Sequence, residues 1–285
     1  LQLFFNVYFS LMKFLKTLFA FYINSSVHVA LAVVSFTLVS FLQEGREFNR
    51  DLIAFIFFAS ITGYNFVKYS GIAKLHHLSL TRNLRWIQIF SFFCFLGLVY
   101  FTLQLQLRTI IATGILGLFT LLYALPVFSK KRNLRSLPGL KIFVIAAVWA
   151  GSTVILPVIE AEKLMGMHLI LDMIQRFMLV VVLTLPFEIR DVRFDESDLD
   201  TIPQKIGVRK TKTFGTVLLI LIFFIELFQK DFQNIDFLTL TLILIILGIM
   251  LWKSRTLQHR YYASFWVEAV PIFYFLLLFL GKVVY

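Results

Sequence analysis

Apolar runs of roughly twenty residues recur from one end of this 285-residue chain to the other, each long enough to cross the hydrocarbon core of a bilayer. They read as spans at about 17–42, 52–69, 86–104, 109–128, 141–159, 168–187, 213–228, 237–252 and 264–282, which makes nine. With 59% of residues hydrophobic and 15% charged, well outside the soluble range of about 50% apolar, no stretch is left for a separate soluble domain. The expectation is an all-α polytopic membrane protein, one transmembrane domain over 1–285. Most of the 34 Phe lie within the spans, where large side chains facing lipid are the plain explanation. Cys94, the single cysteine, lies inside a span and excludes an intramolecular disulfide. The start at Leu1 rather than Met suggests an incomplete sequence. No cleavable signal peptide is expected, because the first apolar run leads straight into a full-length span.

The net charge of +11 is mostly topology. Of the 27 Lys and Arg, 19 fall in one alternate set of connections and 6 in the other. The positive-inside rule makes the richer set cytoplasmic, with the N-terminus inside and the C-terminus outside. A bacterial inner membrane is the expected setting. A nucleic-acid role is set aside, since the basic residues are spread over short loops and the aromatics sit in the spans.

The acids are distributed far less evenly. Six of the 16 Asp and Glu (Glu188, Asp191, Asp195, Glu196, Asp198 and Asp200) share one cytoplasmic connection, and the other cytoplasmic connections hold none. On a helix, Glu188, Asp191, Asp195 and Asp198 would share one face. Like charges stacked that way call for something cationic opposite them, either a metal with a phosphorylated ligand or neighbouring Lys and Arg.

Other positions are ambiguous. Asn65 and Lys68 face the same way at the cytoplasmic end of the second span, and His76-His77 in the next loop reads as solvated rather than ligating. The run Ser129-Lys130-Lys131-Arg132 after Pro126 is a stop-transfer flank or an anion site. Asp172 and Arg176, four apart, are expected to pair. Glu268, one turn into the last span, is a site candidate or a helix–helix hydrogen-bonding group. Such intramembrane charges could also line a transport path, but no paired Gly/Pro-broken helices support that.

The segment Glu188-Ile-Arg-Asp191-Val-Arg-Phe-Asp195, followed by Thr201-Ile-Pro203 and Gly207, resembles the second aspartate motif of the UbiA superfamily of intramembrane prenyltransferases. Leu122-Tyr123-Ala124-Leu125-Pro126 and the basic run after it are similar to the tyrosine-basic exit of that family's fourth span. The resemblance covers essentially the whole chain. It implies a nine-helix bundle around a central cavity and a polyprenyl diphosphate held by Mg²⁺ on cytoplasmic Asp motifs. Carried over by position, Asp191 and Asp195 would be catalytic and, with Glu188, metal-binding. Asn65, Lys68, Lys130, Lys131, Arg132 and Arg190 would contact the diphosphate, and Tyr64, Tyr123 and Glu268 would line the cavity.

One departure matters. Where the family has NDxxDxxxD, this chain reads Asn65-Phe66-Val67-Lys68-Tyr69-Ser70-Gly71-Ile72-Ala73, so the Asn stays and each Asp is gone. Two expectations follow. The first is a prenyltransferase with one Mg²⁺ on Asp191 and Asp195 and Lys68 as a phosphate partner. The other is an inactive UbiA-fold lipid-binding or scaffold subunit with a membrane-protein partner, its acids simply paired with Lys68 and the loop arginines.

Overall fold

The computed structural model describes residues 2–69, 82–125, 139–162, 166–193, 201–229 and 234–284. Among the described residues every regular element is helical. In chain order they are α1 (Gln2–Asn24), α2 (Val27–Gln43), α3 (Arg50–Tyr69), α4 (Arg82–Thr102), α5 (Leu107–Ala124), α6 (Lys141–Glu160), α7 (Met167–Asp191), α8 (Ile202–Gln229), α9 (Ile235–Lys253) and α10 (Tyr262–Val284). Eight of these are long and apolar enough to cross a membrane, and the bent pair α1–α2 makes nine. The chain is an integral membrane protein with multiple spans.

The first span differs from its sequence reading. Instead of one helix over 17–42, the chain breaks at Ser25-Ser26, with Ser26 left-handed at φ 64°, and α1 leaves α2 at 54°. Asn24-Ser25-Ser26 puts three turn-favouring residues in a row inside an apolar run, and their side chains compete with the helix for backbone groups.

Elsewhere local chemistry sets the boundaries. Helix α5 stops at Ala124 because Leu125 precedes Pro126 and is extended, at φ −90° and ψ 140°, as the proline ring demands of its predecessor. Asn234 starts α9 by accepting from the Asp236 amide at 2.8 Å. Helix α8 opens with half a capping box: the Thr201 amide donates to Gln204 Oε1 at 2.8 Å. Gly207, at φ 80° and ψ 156°, then separates that opening turn from the span proper. Only glycine visits this backbone region readily. Helices α6 and α10 each contain a π turn, Gly151–Ile155 and Tyr262–Val267.

Each of α6 to α10 packs on its sequence neighbour, and α10 returns to α2, which closes the bundle. Helices α2 and α7 supply much of the fully buried core, including Phe36, Val181, Val182, Leu185 and Ile189. Helices α4 and α5 are peripheral and expose Phe92, Phe93, Ile111 and Leu118, which costs nothing against lipid tails as apolar as leucine. Close approach needs small residues. A Cβ on Gly215 of α8 would lie 2.5 Å from Leu251 of α9 and 2.7 Å from Leu185 of α7.

Polar side chains also cross-link the half of the bundle that the charge bias places outside. Buried Arg176 donates to the Phe36 carbonyl at 2.7 Å and to Thr153 Oγ1 and Ser40 Oγ, each at 3.3 Å. Its guanidinium lies 4.3 Å from the Phe36 ring centroid, and Asp172 is among its charge neighbours. Gln175 donates to Glu226 Oε2 at 3.0 Å, Lys282 pairs with Asp236 at 3.0 Å, and Gln43 donates to the Tyr274 hydroxyl at 3.2 Å.

Candidate functional site

At the opposite end, Lys68 near the end of α3, Arg190 near the end of α7 and Glu268 of α10 come together. Glu268 is the shared charge neighbour of Lys68 and Arg190, and also of Tyr22 on α1 and Tyr64 on α3. Glu268 and Tyr64 lie deep among protein atoms yet keep accessible surface. The region around them is called the mouth below.

On the α3 side, Asn65 is 3% exposed and committed to the α1–α2 break. Its Nδ2 donates to the Ser25 carbonyl at 3.0 Å and to Ser91 Oγ at 2.7 Å, and its Oδ1 accepts from Ser26 Oγ at 2.7 Å. Lys68 donates to the Asn24 carbonyl at 3.0 Å, and the Tyr69 hydroxyl donates to the same oxygen at 2.9 Å. An ammonium has three donors, and the Lys68 side chain is exposed, so it has capacity beyond that one bond.

On the α7 side, Arg190 forks its own neighbour Asp191, Nε to Oδ1 at 2.7 Å and Nη2 to Oδ2 at 3.0 Å. Glu188 is buried and pairs with Lys141 of α6 at 2.7 Å. Sequence reasoning named neither Lys141 nor Ser91 as a partner. Asp195, Lys130, Lys131 and Arg132 lie outside the described residues.

Tyr64 joins the mouth to a second space. A chamber of about 550 Å³ runs among α3, α4, α5 and α6, where Tyr64, Tyr123, Trp149, Leu116, Phe95 and Ile56 line it. Trp149 Nε1 donates to the Tyr64 hydroxyl at 2.7 Å, which fixes the ring between the charged mouth and the apolar chamber. Trp149, absent from the sequence reading, carries no motif to mark it.

Over the mouth lies α1. Phe19 packs edge-on against Tyr261 and Phe265, with centroids 5.0 and 5.2 Å apart. His28 bridges Tyr22 and the Phe265 carbonyl, Nδ1 at 2.6 Å and Nε2 at 3.0 Å. A carbonyl only accepts, so Nε2 carries the proton and the Tyr22 hydroxyl donates to Nδ1.

Divalent magnesium takes oxygen ligands, chiefly carboxylate and phosphate, in an octahedral set. Among the described residues no group of three His, Cys, Asp or Glu is placed to hold a metal ion. The α3 strip presents an amide and an ammonium, and Asp191 and Glu188 each hold a cation. The described residues do not fit the ion that the resemblance implies.

No family model and no curated protein matches the sequence. Solved structures do match. A UbiA homologue from Aeropyrum pernix K1 in its apo form is 16% identical and aligns over 90% of this chain and 98% of its own, with a TM-score of 0.62. A digeranylgeranylglyceryl phosphate synthase aligns over 94% and 98% at 14% identity, with a TM-score of 0.55. A UbiA homologue from Archaeoglobus fulgidus bound to GPP and Mg²⁺ aligns over 94% and 99% at 10% identity, with a TM-score of 0.54. Such low identity speaks to architecture and leaves the chemistry to the residues. Nine potential spans, closed by α10 on α2 with the α3, α7 and α10 ends meeting at one mouth, make up a chain with the fold of the UbiA superfamily.

Proposed function

We propose that this chain is a UbiA-type prenyltransferase that binds a polyprenyl diphosphate at the mouth and passes its prenyl group to an acceptor within the membrane. One observation carries the reading. Lys68 and Arg190 are both charge neighbours of Glu268, and Tyr64, another of its neighbours, lines an apolar chamber of about 550 Å³. A charged end joined to a long apolar space matches an amphiphile with an anionic head and a hydrocarbon tail. The A. fulgidus homologue, whose ligand is GPP, supports that ligand class.

In this reading the two cations do what α3 carboxylates and a metal do elsewhere. Lysine meets phosphate as a point charge and arginine as a fork. They stabilise negative charge as the allylic C–O bond breaks and the electron pair leaves with the diphosphate. A nucleophilic atom of the acceptor then bonds to the freed carbon, and Glu268 is placed to take the proton it gives up. Asp191 and Glu188 hold Arg190 and Lys141 in place rather than a metal.

The test is geranyl diphosphate titrated into the protein in lipid nanodiscs with EDTA, by calorimetry, alongside pyrophosphate release in the presence of membrane lipid extract. Binding that survives EDTA and weakens in Lys68→Glu supports the reading. Binding only with Mg²⁺, unaffected by Lys68→Glu, overturns it. A second reading, a UbiA-fold lipid-binding subunit without transfer chemistry, is favoured by the cations already held by Glu188 and Asp191 at the end of α7. It predicts binding with no pyrophosphate released with any acceptor.

A further inference from the structure

Three side chains within five residues of α3 (Asn65, Lys68 and Tyr69) bond to the carbonyls at the end of α1 and just beyond it, those of Asn24 and Ser25. The reason lies in how α1 ends. A helix leaves its final carbonyls without intrahelical partners, and that end carries the negative pole of the helix dipole. The break at Ser26 stops the chain from continuing into α2 to satisfy them. A cation and two neutral donors are the groups such an end accepts, whereas carboxylates at these positions would repel it. Of the three, Tyr69 stands where the resemblance would put an aspartate, so the loss of that acid has a physical use: the strip clamps a helix.

The clamped helix covers the mouth. Phe19 seats on Tyr261 and Phe265, Tyr22 is tied through His28 to α10, and Tyr22 adjoins Glu268. Lys68 thus belongs to both features, capping α1 while standing beside the charges of the mouth.

We propose that Lys68 is a latch with two claimants, the Asn24 carbonyl that keeps α1 closed over the mouth and the diphosphate that enters it. Binding moves the ammonium from carbonyl to phosphate and frees α1 to swing about Ser25-Ser26. A charge-assisted bond to phosphate is roughly twice as strong as one between neutral groups, and two negative oxygens outbid one carbonyl oxygen. Asn65 stays on Ser25, Ser26 and Ser91 throughout and acts as the pin of the hinge. The inference rests on the diphosphate reading above for the identity of the second claimant.

Spin labels at Leu15→Cys on α1 and Leu257→Cys between α9 and α10, both exposed positions, measure the swing in a Cys94→Ser background. Distances are read in nanodiscs with and without geranyl diphosphate, and calorimetry on the same samples reports binding. The latch predicts one short distance without ligand and a longer population with it. Lys68→Ala should show the longer population without ligand, and Lys68→Arg should restore the short one. Binding without any change in distance overturns the latch and leaves the proposed function standing. Absence of binding overturns the function and, with it, the ligand's claim on Lys68. A Lys68→Ala distance identical to that of the unaltered protein overturns the latch, and Tyr69→Phe, which removes the second donor to Asn24, checks the same point without removing a charge.

Discussion

In the half of the bundle that the charge bias places outside, Arg176 gives three hydrogen bonds to groups on α2 and α6. Around it Gln175 meets Glu226, and Lys282 meets Asp236. At the mouth, Lys68 gives a single bond to a carbonyl on another helix, and its side chain stays exposed. Arg190 forks its own neighbour Asp191 and lies 5.4 Å from the Phe187 ring centroid, both on its own helix. Both regions bury costly polar groups in a membrane protein. The outer set is spent on other parts of the protein and braces it, whereas the inner set retains donors that a ligand could use. The difference supports the proposed site, and it predicts that damage at the two ends will look different.

The largest effect is expected at the brace. Arg176→Ala removes a charged donor from three acceptors, and we expect about 2–3 kcal/mol lost, with interhelical bonds in membranes at the lower end of their range. The thermal midpoint in detergent should fall while geranyl diphosphate affinity per folded molecule stays unchanged. Lost affinity without lost stability would erase the distinction between the two ends. Next comes packing. Gly215→Val pushes a branched side chain against Leu251 and Leu185, both fully buried, and overpacking costs about 1–3 kcal/mol, again read in the thermal midpoint.

At the mouth the sign of the readout reverses. Lys68→Glu should weaken geranyl diphosphate by about tenfold or more, the loss of one charge-assisted bond, while moving the thermal midpoint little. The smallest effect belongs to Asp191→Asn. Its ion pair with Arg190 is about a quarter exposed on each side and is worth at most about 1 kcal/mol. Binding in EDTA should stay within about fivefold on that scale. A complete loss of binding in this variant would mean that the carboxylate itself touches the ligand or a metal, and would return the α7 end to the role its motif resemblance implies.

The architecture was largely legible in the sequence because span length and Lys/Arg bias are set by the bilayer, whatever lies inside the protein. Eight of the nine expected spans meet their helices to within a few residues, apart from the extension of α7 at its C-terminal end and of α8 at its N-terminal end. The first does not, because hydropathy averages over Asn24-Ser25-Ser26 and cannot see two carbonyls in need of donors. For the candidate site, sequence singled out Lys68, Tyr64, Arg190 and Glu268, and the fold gathers all four. It could not give Asn65 its place at a hinge or Glu188 its partner Lys141, since both depend on helices distant in the chain. Periodicity within one helix carries no record of what stands across from it.

The π turn at Tyr262–Val267 bears on both ends at once. Before its last turn come Tyr261 and Tyr262, held by Phe19 and by the Met250 carbonyl; after it come Glu268 and Tyr274. An α-helix advances about 100° per residue, so the extra residue in such a turn sets the angular phase between the two stretches. Deleting Ser264 would relax the turn to plain α-helix and rotate one stretch against the other by about that angle. Either the seat of α1 or the face bearing Glu268 and Tyr274 would then point the wrong way. The spacing of this one segment works like a gear tooth: shorten it by a single residue and the two ends of the molecule can no longer both be in mesh.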